Sequence, residues 1–286
     1  MTEDPFVAHR SLLFTVAYEM LGSAADAEDV LQESWLRWAG VDRSQVRDPR
    51  PYLVRVVTRQ ALNRLRTLSR SREDYVGEWL PEPLLTSPDV AEDVELADSV
   101  SIAMLTVLET LTPAERAVFV LREVFEMPYD EIAEAIGKSA AAVRQIARRA
   151  RGHVAARRPR MDVSRSQQQA VVERFLAALR TGRLQELMEV LAPDVVLIAD
   201  GGGIAAAALA PVHGAELVAR VLARASRPGL SSTTVWLNGA PAGRIEVAGE
   251  TAAVSLVVED GHVTRVYLVR NPQKLMRLDV PADLAR

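Results

Sequence analysis

Seven arginines and no acid lie between Arg144 and Arg160. They belong to the stretch "SAAAVRQIARRARGHVAARRPR", which starts at Ser139 with three alanines after it. Small residues followed by long donors suit a helix that enters a groove of duplex DNA. Alanines allow close approach to backbone and thymine methyls, arginine pairs bidentately with guanine, and glutamine with adenine. On this reading Ser139, Ala140 and Ala141 give access, and Arg144, Gln145 and Arg148 lie near bases. Lys138, Arg149 and Arg151 meet phosphates, which position without specifying. A solvated, arginine-rich helix is the plainer alternative. Residues 43–72 form a second basic block, with nine arginines and one acid. There Arg55, Arg59 and Arg66 would hold phosphates. Thr58 and Asn63 would offer hydrogen bonds to bases.

The formal net charge is −4, so these blocks are local. Residues 1–42 carry eight acids and two arginines, and residues 73–109 carry ten acids and no base. Blocks of one sign imply oriented partners, and the acidic stretch could occupy a basic surface when nucleic acid is absent. Other chemistry has little support. The chain has no cysteine, which excludes disulfides, thiolate catalysis and cysteine zinc sites. His9, His153, His213 and His262 are too scattered for a metal cluster, and no metal or cofactor is expected. Asp194, Asp200 and His213 are the only acid–base candidates in the last third, and they form no close constellation. The acidic start "MTEDPFVAHR" is no signal peptide, and no run approaches a membrane span of roughly 20 apolar residues, so a cytoplasmic location is expected.

The elements that position these residues are mostly helices. In "SAADAEDVLQESWLRW" the residues Ala27, Val30, Leu31, Ser34, Trp35 and Trp38 share one helical face, which predicts a core-facing stripe. Asp26, Glu28, Asp29, Gln32 and Glu33 lie off it. Another helix starts at "RDPRP", with Pro51 near its N-terminus, and its stripe is Leu53, Val56, Val57, Ala61, Leu65 and Leu68. "GEWLPEPLLTSPD" has no sustained period and reads as a linker. Thr112–Glu115 is a capping box. Ile132, Ala133 and Ile136, a turn at Gly137, then Val143, Ile146, Ala147, Ala150 and Val154 spell helix-turn-helix. After a second linker come helices near 171–179, 184–191 and 215–225, a strand "DVVLIAD", and strands near 232–238, 244–248, 251–259 and 262–269. Gly-Glu and Asp-Gly turns separate the last three.

"DAEDVLQESWLRW", "DPRPYLVRVVTRQALNRLR" and "LTPAERAVFVLREVFEMPYDEIAEAIGKSAAAVRQIARRAR", in that order, resemble bacterial RNA polymerase sigma factors of the extracytoplasmic-function group. The resemblance covers residues 1–158. It implies that the first segment docks on the clamp of the polymerase largest subunit through Asp26, Glu28, Asp29, Gln32 and Glu33. It implies that the second opens and reads the −10 promoter element through Arg55, Thr58, Arg59, Asn63 and Arg66, with a base pocket in the loop Arg43–Pro51. The third is similar to the domain that reads the −35 element, here through Lys138–Arg151. "WLPEP" (Trp79–Pro83), "DGGGI" (Asp200–Ile204) and "NPQKL" (Asn271–Leu275) are similar to signatures of the subgroup with a fused SnoaL-like C-terminal domain. Its usual motifs have Lys where Ile204 stands and Asp where Gln273 stands.

The expected fold is therefore multidomain: two all-α sigma domains and an α+β SnoaL-like cone with a curved antiparallel sheet. The expected divisions are region 2 at 1–72, an acidic linker at 73–99, region 4 at 100–158, a linker at 159–166 and the cone at 167–286. Trp79, Leu80, Pro81, Asp200, Gly201, Gly202, Gly203, Asn271, Pro272, Lys274 and Leu275 are the expected interdomain, regulatory residues. The expected function is promoter-specific initiation with core RNA polymerase, regulated in cis by the third domain, with an unidentified small ligand and stress responses in view. A DNA-binding module fused to a working SnoaL-like enzyme is the rival reading, and a polymerase-independent repressor a third.

Overall fold

The computed structural model describes residues 4–158, 163–226 and 229–286. Residues 159–162, in the expected second linker, lie outside the described residues. The first helical unit comprises α1 (Pro5–Ala8), α2 (Arg10–Leu21), α3 (Ala24–Ala39) and α4 (Pro49–Glu73). Ser23 caps α3 by accepting from the Asp26 N–H, and Asp48 caps α4 just before Pro49. Gly22 ends α2 in the left-handed region at φ 68°. Then come α5 (Val94–Ser99), α6 (Ile102–Leu108), α7 (Pro113–Phe119), α8 (Tyr129–Ile136) and α9 (Ala140–Arg157). The Thr112–Glu115 capping box opens α7, and one π-helical turn at Val120–Val124 follows it. Leu13, Val16, Met20, Leu53 and Val57 of the first unit and Leu105, Leu121 and Val143 of the second belong to one continuous apolar cluster. The two helical units thus pack on each other rather than hanging from a linker.

The third unit has α10 (Arg165–Thr181), α11 (Leu184–Val190), β1 (Leu191–Asp200), β2 (Val212–His213), α12 (Ala215–Ala225), β3 (Ser231–Leu237), β4 (Ala240–Val247), β5 (Glu250–Glu259), β6 (His262–Val269) and α13 (Pro272–Leu275). The sheet order is β2-β1-β6-β5-β4-β3. All neighbours are antiparallel except β1 and β6, which run parallel because the chain crosses through α12 and three hairpins before returning. The sheet is therefore mixed. Its core joins Phe175 and Leu176 of α10, Val218 and Leu222 of α12, and Leu197, Val254 and Val266 of the strands.

Three hairpin turns each hold two residues at positive φ: Asn238-Gly239, Ala248-Gly249 and Asp260-Gly261. That pair of conformations matches the right-handed strand twist. The first was not anticipated, and it starts β4 at Ala240 instead of 244. Pro241 is tolerated in β4 because pairing with β5 begins only at Ala242. The second turn falls one residue before the expected Gly-Glu.

Two segments cross the expected divisions. Residues Leu80–Leu84 of the linker are buried, since Leu80 and Leu84 must leave water, and Leu85 bridges to Leu237 of β3. At the other end, the chain beyond α13 returns to the first unit. The Ala282 N–H donates to the Leu85 carbonyl at 2.8 Å, and the Ala285 N–H to Thr15 Oγ1 at 3.1 Å. Leu284 is buried in the helical cluster.

Candidate nucleic-acid and interdomain interfaces

The helix-turn-helix positions α9 through two local devices. Gly137 takes φ 69° between α8 and the next turn, and Ser139 caps α9 by accepting from the Ala142 N–H at 3.2 Å. Val143, Ile146, Ala147, Ala150 and Val154 are buried beneath it. Lys138, Ser139, Ala141, Arg144, Gln145, Arg148, Arg149 and Arg151 are exposed, and Ala140 is half-buried. Arg144 lies with its guanidinium 5.6 Å from the Tyr129 ring centre. Arg151 pairs with Glu123 at 3.0 Å, and Arg149 approaches Glu115 at 3.7 Å. Gln145 and Arg148 have no partner among the described residues. The face that sequence assigned to DNA is a solvent-facing face.

The second basic block is arranged differently, because α7 and α8 lie on α4. Arg55 forms an ion pair with Glu134. Arg59 donates from Nε to the Ala135 carbonyl at 3.2 Å and from Nη2 to the Glu134 carbonyl at 2.7 Å. These carbonyls belong to the last turn of α8, where intrahelical donors run out and cations are favoured. Asn63 and Arg66 are exposed and bonded to each other at 3.3 Å. Thr58 is fully buried, its hydroxyl unpartnered, so in this arrangement it does not meet a base. The physical reason is a second apolar stripe. Val54, Thr58, Leu62 and Leu65 repeat at helical spacing and are buried like Leu53, Val57 and Ala61, because α4 is covered on two sides. A crevice beside the 43–51 loop is lined by Asp42, Gln45, Arg47, Tyr52 and Arg55, with Glu131 of α8 at its edge. The acidic linker does not cover Arg55 and Arg59; Glu134 and the α8 carbonyls do. Glu109, which caps the end of α6, pairs instead with Arg72 and Arg116.

The acids of α3 are also engaged. Arg64 bridges Asp26 at 2.6 Å and Asp29 at 3.3 Å. Glu28 pairs with Arg10 at 2.7 Å and with Arg277 of the C-terminal segment at 3.4 Å. Glu33 accepts from Gln60 at 2.7 Å, and Gln32 is exposed. Trp38 is buried and donates to Asp4, but Trp35, expected inside, is partly exposed with its ring edge-on to Phe6 at 5.2 Å.

The three linker and cone motifs converge on one carboxylate. Asp200 is fully buried at the end of β1. It accepts from the Tyr75 hydroxyl at 2.6 Å, the Leu80 N–H at 2.9 Å and Lys274 Nζ at 2.7 Å. Lys274 also donates to the Leu80 carbonyl at 2.5 Å. Its ammonium lies 3.9 Å from the Trp79 ring centre, and the Arg72 guanidinium lies 3.8 Å from the same ring. Burial brings the Lys274 ammonium down to about 8, the Asp200 charge holding it against a larger fall. Burial first, and then donation to Asp200, push the Tyr75 hydroxyl up. Asn271 donates to Tyr75 at 2.8 Å. Pro272 is exposed at the start of α13, and Leu275 and Pro81 are buried.

The glycines of this site have a steric reason. A Cβ on Gly202, which takes φ 59°, would collide with the Asn271 amide, and one on Gly201 with the Ala205 carbonyl. Gly203 faces Val76. Ile204 and Gln273, the two departures from the subgroup motifs, are both exposed. The side-chain polar contacts come from Asp200, Asn271 and Lys274, and of the two departures only the Gln273 backbone N–H meets them, donating to Asn271 Oδ1 at 3.0 Å.

Two neighbouring parts of this interface were not found from sequence. Glu82, the "E" of "WLPEP", is buried and accepts from the Ala24 N–H at 2.8 Å at the start of α3. Burial raises its carboxyl, and donation from the Ala24 and Ala25 N–H groups offsets only part of that rise. Asn238, at a hairpin tip, accepts from the Leu84 N–H and donates to the Val100 carbonyl, both at 2.9 Å, and to the Tyr18 hydroxyl at 2.7 Å. It therefore ties the cone to both helical units. An Asn-Gly pair between strands was the available signal. The acid–base candidates are not brought together. Asp200 is consumed by the linker, and Asp194 and His213 are exposed.

Residues 6–71 match the family Sigma-70 region 2, and residues 101–154 match Sigma-70, region 4. The chain is 38% identical over 293 residues to the ECF RNA polymerase sigma factor SigJ of Mycobacterium tuberculosis, covering 96% of this chain and 93% of that one. It is 34% identical to the probable ECF RNA polymerase sigma factor SigI of the same species, covering 94% and 92%. The crystal structure of the M. tuberculosis SigJ protein superposes with a TM-score of 0.77 at 35% identity, over 96% of this chain and 98% of that one. The chain belongs to the extracytoplasmic-function RNA polymerase sigma factors.

Proposed function

We propose that this sigma factor, which directs transcription initiation, reads the −35 element with α9 and the −10 element with α4, and that its SnoaL-like domain governs both in cis. The observation that carries the reading is the contrast in accessibility. The donors of α9 face solvent, whereas Arg55 and Arg59 are held by α8. A chain in this arrangement can offer one promoter element its donors while withholding them from the other. Engagement of the −10 element requires the α4–α8 contact to open. Arg144, Gln145 and Arg148 contact bases, and Lys138, Arg149 and Arg151 contact phosphates. Arg55, Arg59, Asn63 and Arg66 hold the opened strand, and Thr58 is withdrawn from that set. The acids of α3 meet the clamp of the largest subunit, exchanging Arg64, Arg10 and Arg277 for basic partners there.

The SnoaL-like domain acts through the linker. Asp200 and Lys274 fix Leu80, and Asn238 fixes Leu84, so the path between regions 2 and 4 depends on the cone. A small ligand in the cone shifts that path only by preferring one arrangement over another. The place of action is the cytoplasm, where the polymerase is. No described helix is long and apolar enough to cross a membrane. The experiment is run-off transcription with purified core polymerase and the full chain, against templates with both elements present or one scrambled. A transcript that depends on both elements is expected. The same yield from a scrambled −35 template would sink the assignment of α9, and no specific transcript from any template would sink the whole reading.

A further inference from the structure

The sheet of the third domain curves over α10 and α12 and encloses a cavity of about 250 Å³. Phe175, Leu222, Ile245, Val254 and Leu268 are among the apolar side chains of its wall. Only two lining residues carry charge, Glu250 and Arg270. They pair with each other at 2.5 Å, and Arg270 also donates to the Ala206 carbonyl at 2.5 Å. The pair is unequal in exposure: the Glu250 side chain is 63% exposed and that of Arg270 22%. Arg270 is thus the charge that belongs to the cavity, and Glu250 is a counter-ion reaching it from the solvent side. An apolar cavity of about 150 Å³ stays dry and takes benzene, so this one suits a hydrocarbon body of roughly ten carbons.

We propose that the cavity binds an amphipathic monocarboxylate, its hydrocarbon body among the apolar side chains and its carboxylate on Arg270 in place of Glu250. A guanidinium already held from one side by Ala206 presents its fork in a fixed direction, which favours a planar carboxylate. The site is joined to the linker through one residue. The Arg270 N–H donates to the Asp200 carbonyl at 2.7 Å, and the Asp200 side chain holds Leu80. The ligand's anionic end therefore sits one residue from the carboxylate that holds Leu80. This deepens the regulatory reading of the third domain, and rests on that reading for its consequence but not for the binding itself.

The test uses calorimetry on the full chain with 2-naphthoate and its neutral analogue 2-naphthamide. Binding of naphthoate at least tenfold tighter than the amide is expected. Arg270→Gln should bring naphthoate down to the level of the amide. Glu250→Gln, an exposed change that leaves the fold intact, should tighten naphthoate several-fold and leave the amide unchanged. Nuclear Overhauser contacts from naphthyl protons to the methyls of Leu222, Ile245 and Leu268 should locate the body. Equal affinity for the two probes, no binding of either, or contacts elsewhere would overturn the proposal. Transcription is not the readout, so loss of binding leaves the promoter reading standing, and failed transcription leaves the ligand site standing.

Discussion

Helices α4 and α9 both carry runs of arginine, yet they stand differently in the molecule. On α9 the donors lie on an exposed face, and their partners are one ring, that of Tyr129, and two acids at the margin. On α4 the corresponding donors end on the C-terminal turn of α8 and on Glu134. Charge content does not distinguish them. What differs is whether another helix terminus lies within reach. A carbonyl terminus offers an arginine what a phosphate also offers, an array of acceptors with negative potential. On the reading proposed above, the closed face of α4 is occupied by a weak substitute for nucleic acid, and the linker and the cone hold that substitution in place from behind.

The largest expected effect comes from removing that anchor. Asp200→Ala leaves the Lys274 ammonium buried without its counter-ion, which costs about 3–5 kcal/mol. Urea unfolding should show the loss, and amide exchange in α4 should rise with exchange in the linker. If α4 stays as protected as before, the cone does not hold the closed arrangement. Next is a pH dependence on the closed side. Glu19 is buried between α2 and α5, with Ser99 donating to it at 2.7 Å and Arg116 beside it. Burial, above all, raises its carboxyl from 4.5 to about 8, against the lowering by Ser99 and Arg116. The folded state then holds the proton more tightly than the unfolded one. Its contribution is complete below about 4.5 and is lost as pH rises through about 8. Stability against chemical denaturant should fall by on the order of 1–3 kcal/mol from pH 5 to 8, and Glu19→Gln should flatten the slope. A slope unchanged in Glu19→Gln would assign the effect to other groups.

Arg144→Ala sharpens the comparison from the open side. Discrimination at one −35 position should fall by about 1–3 kcal/mol, whereas Arg151→Ala should weaken all sequences alike and reduce the salt slope by about one. Holoenzyme binding to a panel of −35 variants separates the two; equal losses across the panel for both would deny Arg144 its base contact. The smallest effect is expected for Glu134→Ala, which removes an exposed partner of Arg55 worth under about 1 kcal/mol. A fork-junction probe bearing only the −10 element should bind the holoenzyme up to a few-fold tighter. Weaker binding would mean that α8 assists α4 instead of covering it.

Much of this was legible in the chain. The capping box at Thr112–Glu115, the turn at Gly137 and the cap at Ser139 are local events set by residues three or four apart, and they form as expected. The three short motifs "WLPEP", "DGGG" and "NPQKL" marked residues that do meet, although Asp200 and Leu80 are 120 positions apart. The misreadings share a cause. The burial of Thr58 was not legible because a helix covered on two sides has two apolar stripes, and a polar residue inside one of them breaks the pattern. Trp35 was placed inside because aromatic spacing shows the stripe but not where the stripe ends. The return of Leu284 and Ala285 to α2 had no periodic signal at all.

The amino-acid sequence by itself determined the elements, their caps, the helix-turn-helix and which side chains carry the donors, because backbone conformation and amphipathic period are decided over a few residues. Only the tertiary structure decided which donors are free. Arg59 and the α8 carbonyls lie about as far apart in the chain as a small domain is long, and their meeting depends on how the helices pack. Electrostatic interaction falls with distance in space and rises with exclusion of water. Neither quantity is written in the order of residues, so the same arginine-rich composition yields one open helix and one closed.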